Sequence, residues 1–314
     1  MFKPKSILSL LLCLMVLCCT AAAVEVETLS ITPVLSPENL SPIAENLTLK
    51  TYRSVSVGGE FRAVDADGDA LSFRIVSQPE KGTLTLTDGG FVYTPAKGKR
   101  GKDEFRYIAV DEAGNYSEDA LVTIRIEKQD SKLHYADLQG CPVEYAAIRL
   151  SEEGIYTGSH IGGNYCFSPD ESISRGEFLA LCSELIGLQP LEGITRTGFY
   201  DDDEIELWLK PYVSAALLEG SIQGSSSEDG HIRFAASRAI TNAEAAVMLN
   251  RFLKLTDTTA AAPALADSVP FWAAQAVSNL SACDISSASD SALPLTRGSA
   301  ALLLSSALDV LENR

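Results

Sequence analysis

The chain is predicted to be multidomain, an all-β sandwich followed by a mostly α unit of three repeats. Two observations carry this. Residues 38–128 alternate apolar and polar at period two between turn-forming clusters, whereas from residue 133 onward Ala and Leu recur at helical spacing. In addition, one phrase returns. Ile173-Ser174-Arg175-Gly176-Glu177-Phe178 comes back as Ile240-Thr241-Asn242-Ala243-Glu244-Ala245, and again, more worn, as Leu295-Thr296-Arg297-Gly298-Ser299-Ala300. Self-similarity at a spacing of tens of residues marks a repeat architecture.

The 314-residue chain opens on a secretory signal over residues 1–23. Lys3 and Lys5 give a basic start, Ile7 to Cys19 is an apolar run, and Ala21-Ala22-Ala23 offers small residues for cleavage. The run is short of the roughly 20 apolar residues that span a bilayer. Lipid attachment at Cys18 or Cys19 fits less well, because Leu17 and Cys18 precede them. A linker over 24–37 follows. No later stretch is long and apolar enough to span a membrane, so an exported protein, secreted or held at a bacterial cell wall or surface, is expected.

The formal charge is -17, and losing Lys3 and Lys5 brings it to about -19 (-17 - 2). So acidic a chain is expected to avoid nucleic acid, which wants basic patches, and anionic lipid surfaces. Of seven cysteines, Cys141, Cys166, Cys182 and Cys283 lie beyond the signal. They permit two disulfides in three connectivities, or stand as buried free thiols. No C-x-x-C occurs among them, so a zinc site is not expected.

Within 38–128 the strand-like runs are Leu71–Ile75, Thr83–Leu86, Phe91–Tyr93 and Leu121–Ile126, with turns at Asp67-Gly68, Asp88-Gly89-Gly90 and Ala113-Gly114-Asn115. About 90 residues of short, evenly spaced strands suggest an immunoglobulin-like sandwich. The run Asp65-Ala66-Asp67-Gly68-Asp69 reads either as an acidic turn or as hard oxygen ligands for calcium. It is not an EF-hand, since no twelve-residue loop closes on a bidentate Glu.

The order Ala63-Val64-Asp65-Ala66-Asp67-Gly68-Asp69-Ala70-Leu71-Ser72-Phe73, Pro79-Glu80-Lys81-Gly82-Thr83-Leu84, Gly90-Phe91-Val92-Tyr93-Thr94-Pro95, Asp103–Tyr107 and Val110–Asn115 resembles the cadherin-like or bacterial Ig-like modules of exported proteins. That resemblance implies a spacer or adhesive unit that touches a surface protein or host ligand. If the module binds calcium, Asp65, Asp67, Asp69 and Asp111 are its candidates.

After the charged break Glu127-Lys128-Gln129-Asp130 the spacing turns helical. Ser174, Thr241 and Thr296 sit where an N-cap hydroxyl belongs. Glu177 and Glu244, three residues on, complete capping boxes. Capping does not explain Arg175 and Arg297, because a cation at a helix start opposes the helix dipole. Each therefore asks for a carboxylate partner or an anionic ligand.

Tyr135-Ala136-Asp137, Gly154-Ile155, Gly158, Phe167-Ser168-Pro169-Asp170 and Ile173–Phe178 resemble an S-layer homology repeat over 133–190. A second, over 196–256, keeps Phe199-Tyr200-Asp201, Trp208, Gly220–Gly224, Phe234 and Ile240–Ala245. A third, over 264–312, keeps Asp267, Phe271-Trp272-Ala273, Ile285 and Thr296-Arg297-Gly298, with Asp284 where Gly is expected. The resemblance implies pseudo-threefold symmetry and grooves that bind a secondary cell-wall polysaccharide, commonly pyruvylated, or another peptidoglycan-linked polymer.

Carried over by position, that resemblance implies Arg175 and Arg297 as the anion-binding residues and, at Asn242, a weakened groove. Trp208 and Trp272 are either groove aromatics or core, and Gly158, in the Gly-rich loop, is a further candidate glycan-binding residue. Asp137, Asp201 and Asp267 are expected to cap or pair within the fold. Asp201-Asp202-Asp203-Glu204 reads as a solvated loop. His134, His160 and His231 are scattered, and no G-x-S-x-G, P-loop or H-E-x-x-H occurs. The expectation is a non-enzymatic surface protein anchored through its repeats. Its competitors are a calcium-dependent adhesin, a wall-associated hydrolase, and a scaffold whose repeats meet protein instead of sugar.

Overall fold

The computed structural model describes residues 39–256, 269–286 and 290–314. The signal, the linker and Asp267 lie outside them. The chain builds a β-sandwich and then a helical region. One sheet runs in the order β2 (Leu47–Tyr52), β9 (Ala120–Glu127), β8 (Gly101–Val110), β5 (Ser72–Ser77), and the other β3 (Val57–Glu60), β7 (Gly90–Pro95), β6 (Gly82–Thr87). A short pair, β1 (Ile43–Ala44) with β4 (Ala63–Val64), lies outside both. Strands β2 and β9 are parallel, and the other pairs within the two sheets are antiparallel.

Period-two patterning does what it should. On β9 Ala120, Val122, Ile124 and Ile126 point inward, and on the neighbouring β8 Phe105, Tyr107 and Ala109 lie beside them on the same buried face. Phe61 joins the two layers, its ring 4.7 Å from Tyr107 and 5.0 Å from Phe91. Two carboxylates of the sandwich are buried, Asp103 and Asp111. Asp103 accepts the Tyr93 hydroxyl at 2.7 Å and the Lys81 and Glu80 N–H groups at 2.8 and 3.0 Å. Burial alone would raise its pKa, but these donors outweigh it and hold the group below its ordinary value. Burial and Asp103 together raise Tyr93.

The helical region holds α1 (Glu144–Glu152), α2 (Arg175–Leu185), α3 (Lys210–Glu219), α4 (Asn242–Phe252), α5 (Phe271–Ser281) and α6 (Arg297–Glu312). Both predicted capping boxes form, at Ser174 with Glu177 and at Thr241 with Glu244. Thr296 caps α6 through the Ser299 N–H alone, since a hydroxyl stands where the others have Glu.

The three recurring phrases meet in a ring. Ile173 N–H donates to Leu295 O (3.0 Å), Leu295 N–H to Ile240 O (2.8 Å), and Ile240 N–H to Ile173 O (3.2 Å). The next donors along each chain segment also find a neighbour. Arg175 and Gly176 donate to Arg238 O and Ala236 O, Asn242 and Ala243 to Leu293 O and Ser291 O, and Arg297 and Gly298 to Glu171 O and Pro169 O. Helix-start N–H groups that have no intrahelical partner are satisfied this way. After α1, α3 and α5 the chain turns through left-handed residues Gly154 (φ 74), Gly220 (φ 86) and Asp284 (φ 61). Asp284 therefore adopts the conformation a glycine would take most easily.

The sandwich is seated directly on the helical region. Gly58 N–H donates to Pro142 O at 3.0 Å, Ser56 N–H to Glu144 Oε2 at 2.9 Å, and Tyr145 N–H to Ser56 O at 3.2 Å. The approach is so close that a Cβ on Gly58 would lie 2.7 Å from Pro142 Cβ. Tyr52 and Tyr145 pack with ring centroids 5.1 Å apart, and Val55 is buried in the helical core. Arg62 pairs with Asp284 at the edge. All four cysteines are free thiols; burial holds Cys182 well above its ordinary pKa, and Cys141 is raised for the same reason. No helix among the described residues is long and apolar enough to cross a membrane.

Candidate functional site

Two grooves open between the helical segments. The first, about 240 Å³, is lined by Arg175, Ser221, Ile222, Ser225, Glu244, Val247, Met248, Arg251 and Trp272. The second, about 420 Å³, has Arg297, Glu177, Glu184, Trp208, Tyr212, Tyr156 and an apolar floor that includes Ile155, Phe167 and Ile173. The parts correspond. Each groove takes an Arg from the first turn of one helix, a capping Glu from another, and the segment just past a left-handed turn. It also takes a Trp 12 residues before the left-handed residue of a third segment (220 - 208 and 284 - 272).

Trp208 and Trp272 are 50% and 59% exposed, so neither is core. Trp208 instead donates its indole N–H to Glu206 and stands 6.4 Å from the Tyr212 ring. Arg175 lies with its guanidinium over the Phe234 ring, 5.3 Å from the centroid, and its Nε is buried without a hydrogen-bond partner. Burial pulls its pKa down, and Arg238 and Arg251 act in the same direction against Glu244. The group remains a cation, since guanidinium does not deprotonate in proteins. Glu244 is not its dedicated partner, because both carboxylate oxygens already accept from Arg238, at 2.7 and 3.0 Å.

Arg297 is in the opposite situation. It pairs with Glu171 and lies 4.0 Å from Glu177. The matching Arg residues of the sequence thus have unlike surroundings. Asn242 lines neither groove; its amide nitrogen donates to Asp290 O at 2.8 Å, and its buried Oδ1 has no partner.

Gly158 also lines neither groove. It is left-handed (φ 74) beside the hairpin of β10 (Ser159–Ile161) and β11 (Asn164–Cys166), and a Cβ there would lie 2.6 Å from Cys166 O. The need for glycine at this position is steric.

Asp137 accepts from Phe167 and Ser168 N–H, and Asp201 from Phe234 and Ala235 N–H. Asp202 is also buried, paired with Lys210 at 2.8 Å. The acidic loop is therefore in part a structural support and not a solvated run. The Lys210 bond and those from Thr197 pull Asp202 down to about 2. Pattern reading missed Arg238, Arg251, Glu171 and Glu184. Arg251 and Glu184 each lie seven residues after a capping Glu (251 - 244 and 184 - 177), two turns along the same helix face.

At the acidic turn, Asp65 Oδ1 accepts from Asp67 and Asp69 N–H at 2.9 and 3.2 Å, and Asp67 Oδ2 from Leu40 N–H at 2.6 Å. Asp111 accepts from the Asn115 backbone and side chain. Desolvation and the neighbouring carboxylates Asp65 and Asp111 raise Asp69. Among the described residues no group of three or more His, Cys, Asp or Glu side chains is disposed to hold a metal ion.

No curated protein matches the chain. Among solved structures, an endo-fucoidan hydrolase of glycoside hydrolase family 107 is similar at 19% identity and TM-score 0.25, covering 30% of this chain and 14% of that one. The SrpA adhesin of Streptococcus sanguinis is similar at 16% identity and TM-score 0.25, covering 32% and 64%. The titin M3 domain is similar at 15% identity and TM-score 0.20, covering 28% and 99%. Scores this low carry neither fold nor function across. The family comparison is firmer. Residues 39–128 match the bacterial cadherin-like domain, so the sandwich is a module of that kind.

Proposed function

We propose that the helical region is a set of three S-layer homology repeats that anchors an exported protein non-covalently to a bacterial cell wall, with the cadherin-like module projecting as spacer or adhesive unit. In this reading the protein is not an enzyme, and its partner is an anionic secondary wall polysaccharide. One observation carries it: a half-buried arginine, Arg175, has a buried and unpartnered Nε beside a groove whose rim is a half-exposed Trp. Arg offers a planar donor fork to a carboxylate such as a pyruvate ketal, and an indole face stacks on a sugar.

The ring of hydrogen bonds among Ile173, Ile240 and Leu295 supports the threefold arrangement, as do the matched donors after each. The same correspondence supports reading a third position around Asn242 as closed. Its counterpart of the Trp is Pro142 (154 - 12), and its left-handed residue is Asp284; both touch the sandwich.

The test is retention of the full chain on purified cell walls, before and after chemical removal of the anionic polymer. Retention that depends on the polymer and drops on Arg175→Ala is expected; retention indifferent to both would end this reading. Calcium at Asp65, Asp67, Asp69 and Asp111 stands apart from it. A rise in the melting temperature of the full chain on adding calcium would bring the ion in.

A further inference from the structure

The two open grooves have the same parts and opposite charge. Lining the Arg175 groove are Arg175 and Arg251 against Glu244, and behind them Arg238 covers Glu244. The Arg297 groove is lined by Arg297 against Glu177 and Glu184, and behind them Glu171 covers Arg297. Position by position, Arg251 is replaced by Glu184 and Arg238 by Glu171. Three cations and one carboxylate become one cation and three carboxylates. A ligand that suits one groove is repelled by the other.

We infer that the Arg297 groove is a site for a saccharide carrying a free amino group, a deacetylated hexosamine residue. The inference rests on the wall-anchoring reading of the repeats and adds a second ligand chemistry to it. At about 420 Å³ the groove falls within the roughly 300–1,000 Å³ of small-molecule sites.

Glu177 and Glu184 lie two turns apart on one face of α2, so their carboxylates line one wall of the groove. An ammonium presents three donors and no acceptor, which matches acceptor-only carboxylates. Tyr212 donates its hydroxyl to Glu184 Oε1 at 2.6 Å, which orients that carboxylate. Trp208 and Tyr212 supply ring faces for the sugar and for the cation. Arg297 does not compete for the carboxylates on equal terms, because its own charge is already met by Glu171. An N-acetyl group removes the charge and adds bulk, so an acetylated sugar loses the contact that selects the ligand.

The experiment titrates the full chain in mildly acidic buffer with a β-1,4-linked glucosamine oligosaccharide and with its fully N-acetylated counterpart, reading Trp fluorescence. The free amine should bind roughly tenfold or more tightly, the loss expected when a charge-assisted bond disappears. Glu184→Gln, at an exposed position that does not cap the helix, should erase that preference. Glu177→Gln should reduce it, and Arg175→Ala should leave it intact. Equal binding of the two sugars, no binding of either, or a preference that survives Glu184→Gln would each overturn the inference. Wall retention that still depends on Arg175 would show in those cases that the anchoring reading stands alone.

Discussion

The grooves around Arg175 and Arg297 make an instructive pair. Each begins with the same local grammar: hydroxyl N-cap, Arg at the first helical position, small residue next. Around Arg175 the neighbours are further guanidiniums, and a buried Nε is left without a partner. Around Arg297 they are carboxylates, one of them in direct contact. An arginine at a helix start therefore says nothing by itself about anion binding. What decides is the charge of the loop and helix face that pack across it.

The largest way to disturb the comparison is to remove support from one groove only. Asp202 and Lys210 form a buried pair next to the segment that carries Trp208. Asp202→Asn should cost about 3 kcal/mol of stability at neutral pH, because it leaves the Lys210 ammonium without its carboxylate. The sign of the pH dependence follows from a folded pKa of about 2, below the ordinary value near 3.9. The pair's contribution is present above that ordinary value and is lost as pH falls toward about 2. Denaturant melts of both proteins across that range should converge at the acid end.

Next comes Arg175→Ala, expected to weaken retention on anionic wall polymer by about 2 kcal/mol, some thirtyfold. Arg297→Ala should change the same retention by less than about threefold, since that cation is already neutralised. Equal losses would erase the distinction between the grooves.

Glu184→Arg tests the comparison in the other direction. It gives the Arg297 groove the lining of its counterpart, and retention on the anionic polymer should rise by roughly threefold, consistent with a partly exposed charge. The smallest effect belongs to the closed third position. Arg62 meets Asp284 at an exposed edge, so Arg62→Ala should shift unfolding by less than about 0.5 kcal/mol. The seat itself depends on Ser56, Glu144 and the tilted Tyr52–Tyr145 ring contact.

Part of this was legible in residue order. Alternation placed Val122, Ile124 and Ile126 on one face of a strand, and both capping boxes formed at the positions their spacing named. The expectation that Asp137 and Asp201 cap or pair within the fold agrees with the backbone N–H groups from which they accept. The fate of Trp208 and Trp272, the steric need for Gly158 and the burial of Asp202 were not legible. Each depends on packing beyond the three or four positions that a helix or strand pattern reaches.

By itself the sequence determined what acts within a few residues: strand alternation, helix starts, and the recurrence of one phrase. These follow from backbone geometry and hydrogen bonds that reach only three or four positions along the chain. Only the tertiary structure decided which arginine is neutralised, since Glu171 reaches Arg297 across 126 positions of sequence. It alone laid the sandwich across Pro142 and Asp284. Electrostatic partners and covered surfaces are set by packing between segments, and no local pattern records which segments will meet.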